Sequence, residues 1–565
     1  MRTRRTIMSS VLALLGASGV AGVAAKISPV SSANTDGPVS SNREALPPAG
    51  PPPKVNFAVS DIRRYGLVAN TPSAASENTR ALIALVSPSG TFAGNLCFAN
   101  TTGKDIYYFN DIIPFREGIQ VDLQGCTLHF SKTGVREDTD CGFIFAMRDF
   151  SIANGSIVVD YQMAGGGNNA GNALTFGSRG EDSRYFSPTY DSLLPSPMGN
   201  ICVRNLRISS NTKGGFGILM FGGLNGVVME NIWIDGNAGS LEFGIYYEFG
   251  WATNEPKREL RQTSHAHNMR FSNINISNLD TERGQAFGLT GAYSCWIDGL
   301  YVKSAKVLFQ CSPGEAAFFR PWVGVDRIGA KRNIALRNVV GTGIAGTAIA
   351  VAGASSTAGG YLRVTGNAAI DQTDLIDCSI DGFAIDGADL GGGYGIHSSA
   401  EKIDLRNGRI TNFSRGLVTT DECTRMTIES VDIFGCKQCG MEIGQQASIW
   451  SPPRQKMGSI RNCFIAGNSI AAPGLFAGIE LDRCATFVIE GNRFGYEPTH
   501  DGVAEATQGF AVRLGTQANN VVCRCNHTGG VRAGGTAYVN RSGAGAQGNV
   551  IANSSGNSSA TGSWR

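Results

Sequence analysis

The chain has 565 residues, of which 74 are glycine, 42% are hydrophobic and 17% are charged. This balance excludes an intrinsically disordered chain, and the net charge of +2 gives no overall field that would attract nucleic acid. The length suits several ordinary domains or one long solenoid. Beyond the N-terminus, no stretch approaches the roughly 18 apolar residues of a membrane span.

The N-terminus has the pattern of an export signal. Arg2, Arg4 and Arg5 precede an apolar stretch of small residues, and the Arg4-Arg5 pair resembles a twin-arginine signal. The sequence Val-Ala-Ala before Lys26 suits cleavage. We therefore expect an export signal at 1–25 and a periplasmic or secreted protein without stable membrane insertion after cleavage. An uncleaved membrane anchor is the alternative.

The rest of the chain divides into four segments by composition and pattern. Residues 26–54 are rich in proline and serine, which predicts a linker. We expect an N-terminal cap and the first strands at 55–117, and a repeating region at 118–550. Residues 551–565 are predicted to be a flexible C-terminal tail.

The fourteen cysteines allow two interpretations. In an oxidising compartment some of them would form disulfides. Alternatively, Cys378, Cys423, Cys436 and Cys463 serve as small apolar side chains that stack inside the fold. No histidines stand at zinc-finger spacing beside the close pair Cys436 and Cys439, so the cysteines do not indicate a metal site.

A helix is predicted shortly after the linker. Ala81, Leu82 and Leu85 have helical spacing, and Ser76 is the expected N-cap. A helix at this place would cover the exposed apolar end of the repeating region.

A strand, a polar turn and a second strand recur along the chain, and each turn centres on asparagine or another small residue. The centres include Asn205, Asn231, Asn273, Gly299, Asn407 and Ser430. The first four are spaced by 26, 42 and 26 residues, and the last two by 23. A basal coil of about 23–26 residues with insertions explains these spacings. Asparagine suits such a turn because it tolerates left-handed backbone and can bond to the next asparagine in a ladder.

A third strand, usually beginning with glycine, follows each turn. Period-two alternation places one set of side chains inside, namely Ile218, Ile245, Ile396, Met441 and Ile479. The outward column is then Leu219, Tyr246, His397, Val418, Glu442, Glu480 and Arg513. Each coil can bury its inward residues only by stacking on its neighbours.

These patterns predict an all-β, right-handed parallel β-helix of about 10–12 coils with an N-terminal capping helix. An antiparallel sandwich is the rival fold, but it gives no reason for a recurrent asparagine. The segment with Asp61, Tyr65-Gly66, Asn78-Thr79 and Ala81 resembles the opening of pectate-lyase-superfamily proteins, without their Gly-Asp-Gly loop. That resemblance implies the β-helix fold and work on carbohydrate. It transfers no catalytic residue, because the polygalacturonase motifs and a pectate-lyase calcium and arginine signature are absent.

Two long insertions follow strands of the third type, at 249–267 and 312–322. Both are expected to project from the same edge of the solenoid and to wall a groove. A polysaccharide lyase would use a cation to neutralise a uronate carboxylate and a base to remove the C5 proton. The catalytic candidates are Tyr246, Glu248, His265, His267 and Arg320. The substrate-binding candidates are Trp251, Lys257, Arg258, Arg261, Glu315, Trp322 and His397.

A glycoside hydrolase would instead need two carboxylates, and Glu442 and Glu480 fall at the same register of successive coils. Their alternative interpretation is a surface ladder of charges that Arg513 partly neutralises. The expected function is cleavage of a polysaccharide or oligosaccharide, with a lyase slightly favoured and a non-catalytic glycan-binding solenoid as the third possibility. No cofactor is indicated, and Ca²⁺ stays open as an alternative for which no residue pattern calls. The sequence leaves the oligomeric state open.

Overall fold

The structure is a computed structural model. It describes residues 60–133, 142–162, 172–177, 198–211, 214–222, 224–237, 241–248, 266–290, 292, 294–312, 332–351, 376–388, 393–420, 423–444, 456–495, 507–532, 535–542, 548–556, 559–562 and 564. The predicted export signal and linker lie outside these residues.

The described strands, β1 to β35 in chain order, form two sheets. Sheet A has twenty strands: β1 Ser60–Asp61, β2 Gly94–Cys97, β3 Ile106–Phe109, β5 Ile119–Asp122, β6 Thr127–Thr133, β8 Phe150–Gln162, β10 Met198–Ser210, β12 Leu224–Asp235, β14 Met269–Ser277, β16 Ser294–Ala305, β18 Arg332–Ile344, β20 Ile376–Gly387, β22 Lys402–Thr411, β24 Arg425–Phe434, β26 Lys456–Arg461, β27 Phe464–Ala466, β29 Cys484–Glu490, β30 Arg493–Phe494, β32 Val521–Arg524 and β34 Val550–Ala552.

Sheet B has fifteen shorter strands: β4 Ile113–Phe115, β7 Ile144–Ala146, β9 Leu174–Phe176, β11 Phe216–Phe221, β13 Phe243–Glu248, β15 Gln285–Thr290, β17 Val307–Ser312, β19 Ile349–Val351, β21 Tyr394–Ser398, β23 Arg415–Thr419, β25 Met441–Ile443, β28 Ala477–Leu481, β31 Phe510–Leu514, β33 Tyr538–Asn540 and β35 Ala560–Thr561.

The chain alternates between the two sheets, and the paired strands of successive coils run parallel, as in β10 with β12 and β11 with β13. This pairing confirms the parallel β-helix and overturns the antiparallel sandwich. The β-helix is right-handed, as are nearly all crossover connections between parallel strands. Sheet B has fifteen strands, so the solenoid has more coils than the ten to twelve predicted. The count was too low because some coils, such as those that bend at Gln124 or Cys525, have no asparagine at the turn.

The paired strands also extend past the predicted limits of the repeating region. At the N-terminal end, strands β2 to β4 join the same sheets and lie within 55–117, where the cap and the first strands were expected. At the other end, β35 pairs with β33, and the ring of Trp564 packs against Tyr538 at a centroid distance of 6.0 Å. The tail predicted at 551–565 therefore contributes a strand to sheet B.

Asparagines at the bend of sheet A form the predicted ladder. Asn205, Asn231 and Asn273 have φ values of 49°, 56° and 51°, in the left-handed region. Asn231 Nδ2 donates to Asn205 Oδ1 at 2.9 Å, and Asn273 Nδ2 donates to Asn231 Oδ1 at 2.8 Å. Each side chain thus donates to the coil before it and accepts from the coil after it. Where glycine takes the position, as at Gly299 (φ 79°), the same bend forms without the amide.

The predicted helix, α1 (Ala75–Val86), packs against β3 and β4 through buried Leu82, Leu85 and Val86. The prediction that Ser76 caps it was wrong. The N-cap is Ala74, without a side-chain hydrogen bond, and Ser76 Oγ accepts from Asn110 Nδ2 at 2.6 Å. Within the described residues, no helix is long and apolar enough to cross a bilayer.

The interior is a continuous stack of apolar side chains. Ile218, Ile245, Ile396, Met441 and Ile479 are all completely buried, as the alternation predicted. The thirteen described cysteines are thiols, and all but Cys202 and Cys525 are buried. Burial raises the pKa of the Cys436 and Cys463 thiols to about 12. These cysteines therefore serve as small apolar packing groups.

Candidate functional site

The outer face of sheet B carries one register column of side chains. Pairing joins His397 to Val418, Val418 to Glu442, Glu442 to Glu480, and Glu480 to Arg513. Leu219 pairs with Tyr246 in the same column. The order matches the outward column predicted from the sequence. Most of these side chains are nevertheless well covered, since Tyr246 is 9% exposed and Glu442 4%.

A second register column lies at the start of several sheet-B strands, one position before Gly217, Gly244, Gly395 and Gly416. A Cβ on Gly416 would meet Ile433 Cγ2 at 2.4 Å, so this glycine faces the interior, as does Leu417 after it. Two successive inward positions leave the residue before the glycine on the outside. Arg415 therefore joins Val418 on the outer face of β23.

The N-terminal part of the face is aromatic. Phe216 stacks on Phe243 at a centroid distance of 4.5 Å, and Tyr246 packs against both rings. The Tyr246 hydroxyl lies 3.0 Å from Thr290 Oγ1. The predicted catalytic Tyr246 is thus held in a packed aromatic cluster.

Further along the same face, Glu442 is almost enclosed. Arg415 Nη1 lies 2.6 Å from Glu442 Oε2, and Cys439 Sγ donates to the same oxygen at 3.7 Å. Burial raises the pKa of Glu442 to about 7, because the loss of hydration outweighs the lowering effect of Arg415. Glu480 raises this pKa further. Glu442 is therefore an acid poised to hold or release a proton near neutral pH.

Glu480, one coil further on, has a different environment. It forms an ion pair with Arg513 Nη2, and its Oε1 also accepts from the Ala477 backbone N–H at 3.3 Å. Arg513 lies over the ring of Phe510, 5.5 Å from its centroid. The side chains of Glu480 and Arg513 are 18% and 17% exposed, so this pair is reached from solvent more readily than Glu442.

His397 lies two coils before Glu442 in the same column. Its ring stacks on Tyr394 at a centroid distance of 5.5 Å, and Arg415 lies 5.8 Å from the centroid of the Tyr394 ring. Burial lowers the pKa of His397 to about 4. We call Tyr394, His397, Arg415, Glu442, Glu480 and Arg513 the carboxylate cluster.

The carboxylate cluster and Tyr246 cannot act on one bond. Six strand spacings separate β13 from β25 in sheet B. At about 4.8 Å each, they place Tyr246 roughly 29 Å from Glu442. The lyase candidate Tyr246 and the carboxylate pair Glu442 and Glu480 therefore lie at separate places on one face.

Most of the loop candidates lie outside the described residues: Trp251, Lys257, Arg258, Arg261, His265, Glu315, Arg320 and Trp322. The backbone of Glu248 ends β13, but its side chain is also outside the description. Strands β13 and β17 lie two coils apart in sheet B, so the two insertions do leave the same edge. His267 lies at the other end of the first insertion, beside sheet A. Its backbone N–H donates to the backbone oxygen of Leu224 at 2.8 Å.

Sequence reasoning missed Arg415 and Tyr394, which complete the carboxylate cluster. Both directly precede the glycine that marks the third strand, and Tyr394 pairs with Arg415 in register. The signal was the repeated residue before that glycine. It was not used, because the alternation was counted from the glycine onward. The residue before the glycine faces outward only because the strand begins irregularly.

No group of three or more His, Cys, Asp or Glu residues in the described part of the chain is arranged to hold a metal ion. The carboxylate cluster instead pairs each carboxyl with its own arginine.

Comparison with known proteins finds no matching family model and no matching curated protein. Among solved structures, the A-module of the mannuronan C-5 epimerase AlgE6 of Azotobacter vinelandii aligns at 9% identity and a TM-score of 0.35, covering 88% of this chain and 99% of that one. Tailspike protein 3 of bacteriophage CBA120 aligns at 10% and 0.36, covering 83% and 57%. The surface adhesin PfbA of Streptococcus pneumoniae aligns at 11% and 0.31, covering 83% and 89%.

The chain is a parallel β-helix. This rests on its own strand pairing, and it agrees with the β-helix fold that the resemblance of the N-terminal segment implied. The site must therefore be argued from its own residues.

Proposed function

We propose that the protein is an exported enzyme that hydrolyses a polysaccharide, with Glu442 as the proton donor and Glu480 as the second carboxylate. The observation that carries the proposal is the contrast between the two groups. Burial raises the pKa of Glu442 to about 7, whereas Glu480 is paired with Arg513 and more open to solvent. When two neighbouring carboxyls lie in different surroundings, one can serve as the proton donor and the other as the carboxylate.

The spacing of the pair suits the retaining class of glycoside hydrolases. Glu442 and Glu480 are register partners on adjacent strands, about 4.8 Å apart in the backbone. Retaining enzymes hold their carboxyls about 5–5.5 Å apart. Glu442 would transfer its proton to the glycosidic oxygen as that oxygen leaves, while a Glu480 oxygen bonds to the anomeric carbon. A water molecule would then cleave this ester, giving its proton to Glu442.

The surrounding residues suit a sugar chain that carries acidic groups. Arg415 carries an unbalanced positive charge when Glu442 is protonated, and Tyr394 and Phe510 lie at the starts of strands on the same face. Sugar rings stack on aromatic faces, and the guanidinium fork matches a carboxylate. We therefore propose a uronic-acid-containing glycan as the substrate.

β-Elimination is the second candidate, with His397 as the base. Burial lowers the pKa of His397 to about 4, so the imidazole is neutral at pH 7 and can accept a proton. Arg415, which lies near the same tyrosine ring, would neutralise the uronate carboxylate. The earlier lyase hypothesis, which places base and cation in the two insertions, also stays a proposal.

A panel of uronans and neutral glycans tests these functions by the products formed. Hydrolysis gives new reducing ends without ultraviolet absorbance from unsaturated sugars, whereas β-elimination gives both. We expect reducing ends alone from an acidic glycan. Absorbing products would contradict hydrolysis in favour of the lyase, and retention of glycans without cleavage would favour a non-catalytic binding solenoid.

A further inference from the structure

A shallow groove of about 720 Å³ lies on the outer face of sheet A, across the strand halves that follow the asparagine bend. Arg207, Trp233, Asn275 and Tyr301 form one register column across it on β10, β12, β14 and β16. Lys303 lies two positions after Tyr301 and lines the same groove. We call these five residues the aromatic groove.

Trp233 is an unusual side chain for an open sheet surface. It is 37% exposed, and Arg207 lies over its ring, 5.5 Å from the centroid. An arginine over one part of an indole keeps the ring in place while leaving apolar surface open to a ligand. A large exposed aromatic residue in a concave, mainly apolar setting is typical of a binding site.

The spacing of the aromatic rings indicates the kind of ligand. Trp233 and Tyr301 occupy the same column two coils apart, which is about 9.6 Å along the solenoid axis. That distance is close to the length of a disaccharide unit. Polar Asn275 stands between them, where a bound chain would present hydroxyl groups. A stacking ring, an amide and a second ring in line suit a glycan chain running across the strands.

The charges of the groove favour an acidic glycan. Within the part of the chain that the structure describes, neither Arg207 nor Lys303 forms an ion pair with a carboxylate. The acid that lines the groove, Asp235, is engaged through Oδ1, which accepts from the Asn237 N–H at 2.9 Å and from Asn278 Nδ2 at 3.0 Å. The groove therefore carries two cations and one carboxylate, which gives it a net positive charge.

From this arrangement we propose that the aromatic groove is a second, non-catalytic binding site for an acidic polysaccharide, separate from the carboxylate cluster of sheet B. It would hold a long polymer against the solenoid while another part of the chain reaches sheet B. The site depends on its own residues, so it stands or falls independently of the chemistry at Glu442.

Affinity electrophoresis of the full chain in native gels containing polygalacturonate, alginate or dextran tests this site. We expect retardation by at least one uronan and none by dextran. Trp233→Ala should weaken the uronan retardation at least threefold, and the double variant Arg207→Gln, Lys303→Gln should weaken it as well. Trp296→Ala is the matched control, because Trp296 is 41% exposed and has Arg270 at 5.6 Å from its ring centroid, outside the groove lining.

Absence of retardation in both uronans, or equal retardation of Trp233→Ala and the wild-type protein, would overturn the proposal. So would a Trp233→Ala variant whose only change is a lower oligomeric mass by light scattering, since the face would then be a contact between copies. Glu442→Gln should be retarded like the wild-type protein. If that variant cleaves glycans normally while Trp233→Ala loses retardation, the proposed catalytic function fails and the groove stands.

Discussion

At the scale of single residues, Glu442 is a buried acid whose ionisation opposes folding. Its pKa in the folded protein is about 7, against an ordinary value of 4.5. The folded state therefore binds the proton more tightly than the unfolded state. The stabilisation is complete below pH 4.5 and is lost as the pH rises through 7, which amounts to about 3 kcal/mol for this pKa difference.

Glu442→Gln is expected to remove this loss. The wild-type protein should become less stable relative to the variant between pH 4.5 and 7.5, as measured by thermal unfolding midpoints across that range. Glu490→Gln is the control, because it retains Glu442 and removes a carboxyl whose pKa Arg524 lowers, so its pH profile should run parallel to that of the wild-type protein over this range. Parallel pH profiles for the wild-type protein and Glu442→Gln would contradict the raised pKa.

His397 should act in the opposite direction. Its pKa falls to about 4 from an ordinary 6.5, so the stability that depends on neutral imidazole is present above 6.5 and lost as the pH falls through 4. His397→Asn should therefore lose less stability than the wild-type protein on acidification from pH 7 to 4. The same unfolding series measures it, and an unchanged acid limb would show that His397 is solvated.

At the scale of elements, the asparagine ladder holds the bend between the two halves of several sheet-A strands. Asn231 combines a φ of 56° with one hydrogen bond to each neighbouring coil. Asn231→Ala should lower stability by about 2–4 kcal/mol, since it loses two side-chain hydrogen bonds and strains the left-handed backbone.

Asn231→Gly separates the two contributions, because glycine relieves the strain but still lacks the amide. Its urea unfolding midpoint should fall between those of the wild-type protein and Asn231→Ala. Equal midpoints for the two variants would mean that backbone conformation contributes nothing at this turn.

Elements whose sequence repeats a local rule were predictable. The asparagine turns follow from left-handed backbone, and the columns of sheet B follow from period-two alternation, as Ile245 and Glu442 illustrate. Arg415 was missed because the irregular start of β23 places an extra residue outside. The near-neutral pKa of Glu442 was also out of reach, because it depends on burial by the assembled coils. Alternation alone predicted an outward, solvated side chain there.

At the scale of the whole molecule, the solenoid separates the proposed sites along and around its axis. Tyr246 and Glu442 share a face but stand roughly 29 Å apart, at six strand spacings of about 4.8 Å. The aromatic groove occupies a different sheet. A polymer long enough to span several coils could therefore contact more than one of these places, whereas a short oligosaccharide could not.

The proposed export belongs to the same scale. Expression of the full chain in a bacterium with a twin-arginine pathway should yield a periplasmic or secreted protein whose first residue is Lys26. Replacement of Arg4 and Arg5 by lysine should retain it inside the cell. N-terminal sequencing of the fractionated protein makes both measurements, and an intact N-terminus in the membrane fraction would support an anchor instead.

The most direct test of the proposed chemistry is the rate at which Glu442→Gln cleaves the glycan found in the product screen. Removal of a general acid should lower kcat by about 10²–10⁴-fold. Glu490→Gln, which replaces a half-buried carboxylate on sheet A, should retain the wild-type rate. Loss of activity in Glu442→Gln alone, with the fold intact, is the predicted result. Cleavage by Glu442→Gln at the wild-type rate would contradict the assignment of the carboxylate cluster as the active site.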